Sequence, residues 1–139
     1  MSIAFDADVL IYAASGHPLG SAVGRIFAAV GDAPAGIGSV LLLTETLAKP
    51  LRADPESAES RELLRLLSRL ELRPFDESAA RMALACSISY GLRAADAVHL
   101  ATAIVNGADR FLTNNRRDFP KTIDEIDVIY PDELAETHA

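Results

Sequence analysis

Ile3-Ala4-Phe5-Asp6-Ala7-Asp8-Val9-Leu10-Ile11-Tyr12 is the stretch on which the fold turns. Three apolar residues, enough only for a strand, end abruptly at Asp6, and a second apolar run carries on into a first helical turn. A strand that gives way to an acid and then a helix opens a β–α unit. Where such units build a parallel sheet, ligands bind beyond the carboxyl ends of the strands. An acid directly after a strand is therefore a candidate functional group.

Outward from this start, the pattern repeats. From Ser21, the residues Val23, Ile26, Phe27 and Val30 recur at i, i+3, i+4 and i+7, one face of a helix that Gly31 ends. Residues 34–38 read as a connection into Ser39, an N-cap for a helix from Val40 that contains Glu45. Asp54 and Pro55 mark the start of another helix, whose buried stripe is Leu63, Leu64, Leu66, Leu67 and Leu70. Residues 72–75 predict a strand, Asp76 caps a helix running to Tyr90 and Gly91, and a further helix spans Ala94 to Asn106-Gly107. Residues 110–113 predict a strand, Asn114 to Asp118 a polar loop, and Val128-Ile129-Tyr130 a last strand before Pro131. Strands alternating with helices imply an α/β fold, with a parallel sheet covered on both faces.

The 139 residues, 50% of them apolar, suit one domain spanning 1–139. No apolar run approaches the roughly 20 residues of a membrane helix. The opening residues carry no basic leader and meet an acid at Asp6, unlike a secretory signal. One cysteine, Cys86, allows no internal disulfide. A cytoplasmic location is the expectation. The net charge of −7 argues at first against a polyanionic partner. Yet Asp124, Glu125, Asp127, Asp132, Glu133 and Glu136 all follow the last base, Lys121, so the body of the chain is nearly neutral.

Asp6 and Asp118 should face one rim of such a sheet, since each follows a strand. Asp96 leads the apolar stripe of its helix, and Glu45 sits one turn after Leu41 and Leu42. Each has an ordinary explanation taken singly: Asp6 or Asp8 as a helix cap, Asp96 as a partner of the helix dipole, Glu45 as an i+4 partner of Lys49. What those explanations leave over is why the topology gathers four acids at one rim, where their charges repel. A hard divalent cation, Mg²⁺ or Mn²⁺, takes oxygen ligands and offsets such repulsion. For the same reason His99, three residues after Asp96, reads as a packing or hydrogen-bonding group and not a ligand. His17, His138 and Cys86 have no sequence context for chemistry.

Four blocks in order carry a resemblance to PIN-domain nucleases: residues 3–11, Ser39-Val40-Leu41-Leu42-Leu43-Thr44-Glu45, Ala95-Asp96-Ala97-Val98-His99-Leu100-Ala101-Thr102-Ala103, and Phe111-Leu112-Thr113-Asn114-Asn115-Arg116-Arg117-Asp118-Phe119. The resemblance implies a three-layer PIN-like fold with a central parallel sheet of four to five strands flanked by helices. It implies an acidic site of Asp6, Glu45, Asp96 and Asp118 that holds Mg²⁺ or Mn²⁺. Asp8, Thr113, Asn114 and Asn115 would stand around it. Asp8 occupies a position where the family often has Asn or Ser, and some members place their fourth acid at the position of Asn115.

In length and layout the chain is similar to VapC-type toxins of bacterial toxin–antitoxin pairs. That likeness implies a metal-dependent endoribonuclease, a homodimer held inactive by an antitoxin, which cuts RNA with metal-activated water and without a catalytic histidine. Arg116, Arg117 and Lys121, beside Asp118, are the candidate RNA-binding residues. Arg61, Arg65 and Arg69, four apart on one helix, are either a second basic line or a solvated face. Two other functions stay open: a PIN-like module that binds RNA or protein without cutting, and a haloacid-dehalogenase-like phosphatase with Asp6 as nucleophile in Asp6-Ala7-Asp8. The latter lacks that family's Gly-Thr after the second Asp.

Overall fold

A computed structural model describes residues 2–137, with side chains through residue 134; His138 lies outside the described residues. The chain runs β1 (Ile3–Phe5), α1 (Ala7–Ser15), α2 (Gly20–Ala29), β2 (Gly36–Ser39), α3 (Leu41–Ala53), α4 (Ala58–Ser68), β3 (Leu70–Arg73), α5 (Glu77–Tyr90), α6 (Ala94–Val105), β4 (Arg110–Leu112), β5 (Asp127–Ile129) and α7 (Pro131–Thr137). The five strands are all parallel, in the order β3-β2-β1-β4-β5. β1 is central, and the chain builds outward from it first on one side and then on the other. This makes the carboxyl end of β1 the switch point of the sheet.

Strand side chains alternate between two cores because successive residues point to opposite faces. Phe5, Leu112 and Ile129 pack with α1, α2 and α4, where the Phe5 and Phe27 rings lie 5.3 Å apart. Ala4, Phe111 and Val128 face α5 and α6 on the other side. Each fully buried Phe or Leu contributes about 1.5–3 kcal/mol to the fold. Leu42 is among them, and Leu41 and Leu51 pack against the two cores, whereas Val40 and Leu43 near Glu45 are exposed.

Several elements differ from the sequence expectation. Residues 36–39, read as part of a connection, form β2. An added Cβ at Gly36 would stand 2.2 Å from the Ile3 carbonyl oxygen, so a side chain there would collide with β1. Glycine is thus needed where β propensity argues against a strand. The helix expected from Asp54 begins instead at Ala58: Ser57 accepts from the Ser60 N–H, whereas Asp54 closes α3 and accepts from Glu56 in the turn between. Leu70 belongs to β3 and not to the helical stripe, which moves that strand forward to Leu70–Arg73. The residues from Pro131, for which no element was foreseen, form α7.

Candidate functional site

Asp6 continues the β1–β4 pairing, its N–H donating to the Leu112 carbonyl at 3.0 Å. Because Phe5 pairs with Leu112, the next residues, Asp6 and Thr113, lie side by side. The Thr113 hydroxyl donates to Asp6 Oδ2 at 2.8 Å, and Asp6 Oδ1 accepts from the Ala7 N–H at 2.8 Å, which also caps α1. Asp6 is only 5% exposed. Its neighbour across the first turn of α1, Asp8, accepts from the Asn114 N–H at 3.0 Å, while its Oδ1 is buried without a partner. The loop after β4 therefore fastens both acids, and it also holds Asp118, whose Oδ2 accepts from the Asn115 amide at 2.9 Å.

The other two acids arrive on helices. Asp96 stands half-buried in the first turn of α6. Glu45, on α3, keeps 32% of its side chain exposed and accepts from His99 Nε2 at 2.7 Å, not from Lys49. The His99 side chain is wholly buried.

These groups sense one another. Burial raises the Asp6 carboxyl above its ordinary range, with Glu45 adding to the rise. Asp8 is pushed up to about 7, by burial first and then by Asp6 and Asp96. Burial likewise raises Asp96, reinforced by Asp6, Asp118 and Glu45. Burial depresses the His99 imidazole, but Glu45, Asp6 and Asp96 more than offset this and the net shift is upward. Among the described residues no Lys or Arg is ion-paired with Asp6, Asp8, Glu45, Asp96 or Asp118. Asp6, Asp8 and Asp96 are thus withdrawn from water with no Lys or Arg paired to them, which is costly unless something else supplies positive charge. An all-oxygen donor set with an orphaned buried carboxylate oxygen fits a hard divalent cation. As placed, no three His, Cys, Asp or Glu side chains among the described residues stand close enough to hold one ion.

The basic candidates divide. Arg116 pairs with Asp132 of α7 and lies 4.3 Å over the Tyr130 ring; Lys121 pairs with Glu133 at 2.7 Å and lies over the same ring. Arg117 is exposed with no ion-pair partner among the described residues. On α4, Arg61 and Arg65 are exposed and pair with Glu56 and Glu62, whereas Arg69, expected on the same helix, lies just past its end, half-buried, and donates to the Ala33 carbonyl. A cleft of about 380 Å³ opens beside Glu45, between Ile11, Lys49, Pro50, Ala53 and Glu59. The contact that the sequence did not specify is His99 to Glu45; its only signal was the one-turn spacing from Asp96. No described helix is long and apolar enough to cross a membrane.

Solved structures give the fold a context. The chain is similar to a chain of a toxin–antitoxin complex from Klebsiella pneumoniae, at TM-score 0.73 and 22% identity, covering 94% of this chain and 98% of that one. A VapBC2 chain from Rickettsia felis, solved with a promoter DNA fragment, matches at TM-score 0.72 and 19% identity, and a DNA-bound VapBC chain from Salmonella typhimurium at 0.69 and 18%, each with the same coverage. No curated protein matches the chain. The PIN domain family matches residues 3–125, which takes in the whole sheet up to β4 and all five acids, and the chain belongs to that family.

Proposed function

We propose that this protein is a metal-dependent endoribonuclease, the VapC-type toxin of a toxin–antitoxin pair, acting as a homodimer and restrained by an antitoxin. The observation that carries the reading is the set of acids gathered towards the sheet's switch point with no Lys or Arg paired to them among the described residues, in a PIN-family chain. Family membership and likeness to chains of toxin–antitoxin complexes support it.

Asp6, Glu45, Asp96 and Asp118 would hold Mg²⁺ or Mn²⁺, the three less buried acids turning inward to do so. A bound ion of this kind acidifies an attacking water and neutralises charge that develops on a phosphodiester. The chain's own residues prepare the place: Thr113 locks Asp6, Asn114 fixes Asp8, and Asn115 orients Asp118. Arg117, exposed and without an ion pair among the described residues, offers a cation to the RNA backbone, whereas Arg116 and Lys121 must exchange exposed ion pairs, which are worth about 0–1 kcal/mol each. A phosphatase using Asp6 as nucleophile is disfavoured, because Val9-Leu10 follows Asp8 where that family has Gly-Thr.

Asp6→Asn and Asp96→Asn test the proposal. Each should abolish Mn²⁺-dependent cleavage of a fluorescent RNA, beyond the roughly 10–100-fold that follows loss of a hydrogen bond to a ligand. Circular dichroism should show the fold intact. Cleavage at the wild-type rate in either variant would refute the assignment. Mn²⁺ binding without any cleavage would turn the reading to a binding module.

A further inference from the structure

We propose that His99 is a positioning residue, whose buried Nε2–H holds one oxygen of Glu45 so that the other faces the acidic crevice. This rests on the metal-site reading above and names a residue that acts on it through Glu45.

A wholly buried imidazole needs a hydrogen-bond partner. His99 has one, Glu45 Oε1 at 2.7 Å, while its Nδ1 has none. The bond joins α6 to α3, so it bridges two elements on which two of the four acids ride. Glu45 needs such a tie more than its fellows do. Asp6 and Asp118 have short side chains, each held by the loop after β4. Glu45 has a longer, partly exposed side chain, and His99 is its one side-chain hydrogen-bond partner among the described residues. Glu45 also lines the open cleft beside Lys49, so without that donor its carboxylate has room to turn. The bond occupies Oε1 and leaves Oε2 for another ligand. An imidazole enclosed on every side has few rotamers to choose from, so its donor is fixed in space at low entropic cost.

The test compares His99→Gln, whose side-chain amide keeps a donor near the place of Nε2, with His99→Leu, which fills similar space and has none. Free Mn²⁺ is followed by electron paramagnetic resonance during titration of each protein without RNA, alongside thermal unfolding and RNA cleavage. His99→Leu is expected to weaken Mn²⁺ binding at least about tenfold, with its unfolding temperature near that of the wild type, and His99→Gln to recover most of the affinity. Leucine and glutamine variants that bind Mn²⁺ as the wild type does would overturn the proposal alone. Equal loss in both would also overturn it, since packing would then be the explanation. A wild-type chain that binds no Mn²⁺ would overturn the metal-site reading and this proposal together. Should His99→Leu fail to fold, His99→Asn, whose amide falls short of Glu45, takes its place, with the same expected loss.

Discussion

At the scale of single residues, the crevice is a place where the fold accepts electrostatic cost. Asp8 shows this most clearly, with its carboxyl pushed up to about 7 by burial and by Asp6 and Asp96. A carboxyl whose pKa is higher folded than unfolded binds its proton more tightly in the native state. Stability then falls as pH rises from the unfolded value, near 4, through the folded one. Asp6 and Asp96 are raised as well, and the raised imidazole of His99 gives a slope of the same sign. Metal-free protein should therefore melt at a lower temperature at pH 8 than at pH 5. Asp8→Asn keeps an oxygen for the Asn114 N–H and removes the charge. It should raise stability at pH 8 by at least about 1 kcal/mol, and it should flatten the pH slope. Calorimetry across pH 5–8 would count against this if the variant melted lower at pH 8. The acids themselves were legible in the sequence, because a carboxylate after a strand is conspicuous. Their coupling was not, since it depends on distances between elements up to about a hundred residues apart.

At the scale of elements, periodicity located most helices, and local chemistry set their ends. Asp76 and Gly91 bound α5 as the sequence indicated, with Asp76 accepting from the Ala79 N–H and Gly91 at φ 66°. β2 escaped because its glycines carry no strand signal; they are there for the neighbour, not for the strand. Gly36→Ala should cost at least about 2 kcal/mol, in the range of overpacked cores, because backbone cannot yield to the new Cβ. Gly24, inside α2 with open space around it, is the contrast. Gly24→Ala should stabilise by about 0.5–1 kcal/mol. Urea denaturation of the two variants distinguishes a glycine required by contact from one that merely weakens a helix. Shifts of equal sign would contradict the account of β2.

At the scale of the whole molecule, a chain of net charge −7 must still approach an RNA. The acidic helix α7 takes up Arg116 and Lys121, which leaves Arg117 as the exposed base nearest Asp118 in sequence without an ion pair among the described residues. Arg117→Ala should weaken RNA binding and reduce the slope of log affinity against log salt by about 1. Arg116→Ala should change that slope less. Fluorescence anisotropy over a range of salt concentrations measures both, and an Arg117→Ala slope equal to the wild type's would remove this residue from the interface.

The sequence by itself determined the α/β class, the parallel sheet, and which acids end strands or open helices, because those features depend on period, length and near neighbours. Only the tertiary structure decided that β2 lies against β1 through glycine, that α7 claims two of the three bases beside Asp118, and that His99 holds Glu45. Each of these is a meeting of side chain or backbone across separate elements. The geometry of such a meeting comes from packing and register, and no local pattern in the chain encodes it.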